Sequence, residues 1–196
     1  MFATNLRSFV SRRVCVVMSV VAVIVVSLAV PAGASSVSPS KWAPKFCNAL
    51  VKWQSTLKTE GEAASASISS HSTDLTAARD DLVSYLGKSV AATQTAIKTI
   101  KAAGTPSSTN GAKIVSKLVG GFQAASTVFA TAKSDAAKLS TTDATAFADA
   151  GTQIQTNLST ASSKVTGGFS GIAKLDAKNE LNQALAKATA CKAVSG

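Results

Sequence analysis

The chain has 196 residues, a formal net charge of +10, three cysteines, one histidine and 5% aromatic residues. At 46% hydrophobic residues it can bury a core, and its length suits a single domain, so a disordered chain is excluded. The lone histidine leaves little for metal-centred or acid–base chemistry, whereas the basic balance favours anionic partners.

Arg7, Arg12 and Arg13 form a basic start, the run Val14 to Val30 is apolar, and Pro31 to Ala34 supplies small residues in an Ala-x-Ala pattern. That order predicts a secretory signal peptide over residues 1–34, cut between Ala34 and Ser35. The alternative is retention as an anchor, for which the run is short. "SRRVCV" resembles a twin-arginine motif with Cys15 in place of the usual Phe, and the very apolar run favours the general secretory route. No lipid-attachment cysteine follows it. The predicted mature domain, 35–196, loses three arginines, which takes the formal charge from +10 to +7.

Ser38 and Pro39 open the first helical pattern, with Trp42, Phe46, Ala49, Leu50, Trp53 and Leu57 on one stripe. The pattern fades between Gly61 and Thr73, which predicts a helix end and a mobile connection. The next cap is "STD", with a hydroxyl as N-cap and Asp74 in the first turn. Its stripe runs from Leu75 through Leu82, Leu86 and Ile97 to Ile100, and Gly104 and Pro106 close it. "TPSSTNG" is a loop. A third helix carries Ile114, Leu118, Phe122, Phe129 and Leu139, and "STTD" is the next turn. A fourth carries Phe147, Ile154, Leu158, Val165 and Phe169, and a last segment holds Leu181, Leu185 and Cys191.

No sustained strand pattern competes. The fold class expected is all-α: an antiparallel bundle of four long helices plus a shorter C-terminal helix. A continuous helix from Thr142 to Cys191 would be about 75 Å long, so a break is expected near "GGFSG" or "LDAKN". The terminal segment then folds back beside the first helix. Cys47 and Cys191, the two cysteines of the mature domain, are expected to form one disulfide in an oxidising compartment.

"WAPKFCNALVKW", "DLVSYL" with "IKAAGTP", and "ELNQALAKATAC" resemble small exported helical proteins of actinobacteria. The resemblance spans most of the mature domain. It implies an envelope or extracellular location and carries no catalytic residue.

"SKLVGGF" (Ser116 to Phe122) recurs as "SKVTGGF" (Ser163 to Phe169), and the apolar face repeats with it at the same offset. Gly121 and Gly168 fall on the buried stripe, where a missing side chain admits a close neighbour. Counted from the turn near Thr141, they are mismatched by about 10 Å, so each is expected to meet a different helix.

Catalytic constellations are not evident. His71 has no second histidine to share a metal and reads as an exposed loop residue; no metal or cofactor is expected. Asp80 and Asp81 are adjacent on a helix and point about 100° apart, which suits a solvated face. Tyr85 reads as an edge residue. Between Asp81 and Asp135 the chain has no acid, and Lys98, Lys101, Lys113 and Lys117 flank the "GTPSSTNG" loop. They make a candidate polyanion-binding site for an anionic envelope polymer, a membrane surface or an envelope protein. Nucleic acid is disfavoured, because no arginine cluster or aromatic platform accompanies them. Trp42, Trp53, Phe122 and Phe169 are candidates to line an apolar pocket between helices, with plain core packing as the other reading. The function expected is therefore an exported, non-catalytic bundle binding or supporting an envelope component. The alternative is a carrier of a small apolar ligand.

Overall fold

The computed structural model describes residues 36–71, 73–169 and 172–193; the predicted signal peptide and its cleavage site lie outside them. The described chain is mostly helical. Four long helices, α1 (Pro39–Ser70), α2 (Leu75–Ala102), α3 (Gly111–Ala136) and α4 (Ala144–Phe169), precede three short ones, α5 (Ile172–Leu175), α6 (Glu180–Lys187) and α7 (Thr189–Lys192). Two residue pairs also form a short parallel ladder, β1 (Ser36–Val37) against β2 (Thr105–Pro106), which the sequence pattern does not announce.

Helix boundaries follow local chemistry. Pro39 occupies the first turn of α1, but Ser38 makes no capping bond, and its hydroxyl pairs with that of Ser40 at 3.2 Å. Asp74 is itself the N-cap of α2, accepting from the backbone N–H of Thr76 and Ala77. Asp143 does the same for α4 with Thr145 and Ala146, and Ser140 Oγ accepts from the N–H groups of Thr142 and Asp143. At both caps the carboxylate, rather than a preceding hydroxyl, satisfies the orphan donors. Gly104, at φ 84°, terminates α2 in the left-handed region that favours glycine.

The expected helix end near Gly61 does not occur. α1 runs on through the Ala/Ser-rich stretch to Ser70, because α2 continues beside it. Gly61 lies under the Tyr85 ring, and Lys88 reaches Glu60 at 2.7 Å. Tertiary packing here overrides weak patterning.

Each long helix packs against its predecessor. The start of α1 meets the end of α2, where Trp42 Nε1 donates to the Gly104 carbonyl at 2.9 Å. The end of α1 meets the start of α2 through Ser67, His71 and Asp81. After α4 the chain breaks as expected: α5 ends at Leu175, Asn179 takes a left-handed φ of 58°, and α6 and α7 return along the start of α1. The Cys47–Cys191 disulfide closes this return with a Cα–Cα distance of 4.9 Å.

The expectation that the two glycine phrases meet different helices is overturned. A Cβ on Gly121 would lie 2.9 Å from the Lys164 carbonyl oxygen and 3.1 Å from Gly168 Cα. One on Gly168 would lie 3.2 Å from the Lys117 carbonyl oxygen and 3.3 Å from Gly121 Cα. The length argument fails because it takes α3 and α4 as level at their turn. With the glycines level, α4 starts about 13 Å beyond the end of α3. The overhang shows in its first turns, where Ala144, Thr145, Ala146, Ala148 and Asp149 are exposed and only Phe147 is half-buried.

Candidate anion-binding end

The loop between α2 and α3 is held tightly. Pro106 is fully buried, the Ser107 N–H donates to the Val37 carbonyl at 2.8 Å, and Asn110 Nδ2 donates to the Leu175 carbonyl at 2.7 Å. Gly111 opens α3 against the Pro106 carbonyl so closely that any side chain there would overlap it. These restraints fix the last turns of α2 relative to the first turns of α3. Lys98, Lys101, Lys113 and Lys117 stand exposed around that junction.

The fold adds lysines that sequence reasoning missed. Lys41 and Lys45 lie on the first turns of α1, and Lys174, Lys178, Lys187 and Lys192 on the returning C-terminal segment, all exposed. They reach the same end because α6 and α7 pack against α1 and Asn110 bonds to Leu175. An acid-free stretch between Asp81 and Asp135 could reveal only the α2–α3 group. The acids at this end are Asp176 and Glu180, and Asp176 is buried, accepting from the Asn182 N–H at 2.9 Å.

The other end is different. Among the described residues every ion pair lies there: Lys58–Glu62, His71–Asp81, Arg79–Asp80, Lys88–Glu60 and Lys138–Asp135. Eight of the ten acids sit in that half or at its loops: Glu60, Glu62, Asp74, Asp80, Asp81, Asp135, Asp143 and Asp149. Lysines at the loop end thus lack neutralising partners, and the described residues carry their charge as an axial asymmetry. Such a field attracts and orients anions.

His71 lies in the turn that follows α1, as expected, but is half-buried and bonded rather than freely solvated. It is the C-cap of α1, and its Nδ1 lies 2.8 Å from Asp81 Oδ2, which also accepts from Ser67 Oγ at 2.7 Å. Both bonds hold the Asp81 carboxyl below its ordinary value, Ser67 first and His71 second. Because Ser67 donates to the carboxylate and not to the imidazole, the trio staples α1 to α2 and does not activate a hydroxyl. Among the described residues no cluster of His, Cys, Asp and Glu could hold a metal ion.

The four pocket candidates fall into two aromatic clusters. Trp42 stacks on Phe46 at 4.7 Å, and Phe46 meets Phe169 at 5.9 Å. Trp53 and Phe122 meet in a T-shaped pair with centroids 5.1 Å apart. Trp42 and Phe122 are fully buried, and Trp53 Nε1 donates to Thr93 Oγ1 at 3.0 Å. Each of the four rings thus touches another aromatic ring, while Trp53 and Phe169 stay partly exposed. Beside Trp53, an open groove of about 550 Å³ runs between α1 and α2, bordered by Lys52, Thr56, Lys88 and Thr95.

No protein family, curated protein or solved structure matches this chain. No described helix is long and apolar enough to cross a membrane.

Proposed function

We propose that this is an exported, non-catalytic protein, an antiparallel bundle of four long helices, whose lysine-rich end binds an anionic component of the cell envelope. The single observation carrying this reading is the cap of exposed lysines without acidic partners, set opposite an end where the acids and ion pairs collect. The basic-apolar-small order of residues 1–34 supports export with cleavage near Ala34, and retention as an anchor keeps the same location. The disulfide supports an oxidising compartment. Direct ring-to-ring contacts among the four aromatic candidates favour this reading over a carrier with a ligand in its core.

Co-sedimentation of the exported protein with isolated cell envelopes tests it. The expected result is retention at low salt that is released by added salt and abolished when Lys98, Lys101, Lys113 and Lys117 are all changed to Glu. Salt-insensitive retention, or none at low salt, rejects it.

A further inference from the structure

We infer that the partner of the lysine-rich end is an anionic lipid surface, on which the protein stands end-on with its acidic end directed away. This rests on the anion-binding reading and narrows it to one source of anion. Three observations favour a bilayer over a linear polymer or nucleic acid.

The first is the layout of charge. The exposed lysines come from the start of α1, the end of α2, the start of α3 and the C-terminal return, so they cap an end rather than line a track. A planar array of headgroups meets a cap at many points at once, whereas a single strand needs a continuous groove. The large rings Trp42 and Phe46 are buried and their neighbour Phe169 is half-buried, so among the described residues this end presents no fully exposed ring for stacking bases. Each lysine close to an anionic membrane strengthens binding about fivefold, so even a few acting together suffice for retention.

The second is the route of the chain. β1 pins Ser36 and Val37 to this same end through Thr105 and Pro106. The described chain therefore enters the bundle at the lysine-rich end, which is where the predicted leader is joined while it is still attached.

The third is the opposite pole. Asp74, Asp80, Asp143 and Asp149 are exposed at or near the far end, where an anionic surface repels them. The axial asymmetry therefore selects one orientation as well as one surface.

The test is binding of the exported protein to phosphatidylcholine vesicles with and without phosphatidylglycerol, at low and raised salt, with immobilised polyphosphate as the polymer probe. Insertion of a retained apolar segment would act on both vesicle types, so the ratio between them reads the lysine-rich end. The expected ratio is about tenfold or more, collapsing with salt. It should be lost in the variant with Lys98, Lys101, Lys113 and Lys117 changed to Glu, and kept in a variant with Lys58→Glu and Lys138→Glu at the other end. Unchanged helical circular dichroism qualifies each variant. Equal binding to both vesicle types, with salt-sensitive retention on polyphosphate, overturns the lipid inference and leaves the anion-binding reading standing. No retention on either overturns both. Equal loss in the two variants overturns the assignment to this end.

Discussion

Gly121 of α3 and Gly168 of α4 meet backbone to backbone, each occupying the space in which the other's side chain would stand. Their neighbours Gly120 and Gly167 have nothing within 4 Å of where a Cβ would go. The doublet therefore divides into one glycine that packs and one that does not. Gly121→Ala and Gly168→Ala are expected to destabilise by about 1–3 kcal/mol, because backbone atoms must move apart. Gly120→Ala and Gly167→Ala are expected to stabilise by about 0.5–1 kcal/mol through helix propensity alone. Urea unfolding of the four single variants checks both signs.

The Cys47–Cys191 disulfide ties the C-terminal return to α1 across a sequence separation of 144. Closing a loop of that size contributes about 5 kcal/mol in the chain-entropy model. Cys47→Ser with Cys191→Ser is expected to lower the urea midpoint sharply. Reduction of the wild type should do the same and should have no effect on the double variant.

Thr93 is fully buried, accepting from Trp53 Nε1 and donating to the Ser89 carbonyl at 2.7 Å. Thr93→Val keeps the shape and leaves the indole N–H without its partner, at an expected cost of about 1 kcal/mol. Thr93→Ser retains the hydroxyl, so tryptophan emission should shift in the Val variant and stay near wild type in the Ser variant.

The depressed Asp81 carboxyl makes a pH-dependent contribution. Its folded value lies below its unfolded one, so its stabilisation is present above the ordinary aspartate range and is lost as pH falls through the lowered value. Asp81→Asn is expected to flatten the stability profile across that acid window. Ser67→Ala, which removes the largest cause of the depression, should move the loss to higher pH. Thermal melts at stepped acid pH measure both.

Much of this was legible from spacing and punctuation. Trp42, Phe46, Leu86, Ile114 and Phe122 fall at helical intervals and all are buried, and Gly104 and Pro106 mark the end of α2. The excessive length of an unbroken fourth helix forced a break, and that break brings Cys191 to Cys47. What spacing could not show was relative height. The level meeting of Gly121 and Gly168 depends on α4 overhanging α3, a property of the 137–143 connection. Nor could it show that Gly61 is covered by Tyr85, which lets α1 continue where its own pattern weakens. The candidate site was half legible for the same reason. Lys98 and Lys113 flank one loop in the sequence, whereas Lys41 and Lys187 are brought to the same end only because α6 packs against α1.

Elution of the exported protein from an anionic matrix along a salt gradient, compared with the variant carrying Glu at 98, 101, 113 and 117, tests the charged end most directly. The wild type should elute at clearly higher salt, and a variant with Lys58→Glu and Lys138→Glu should stay close to it, although it changes charge by half as much. Coincident elution of the wild type and the four-site variant would contradict an anion-binding role for this end.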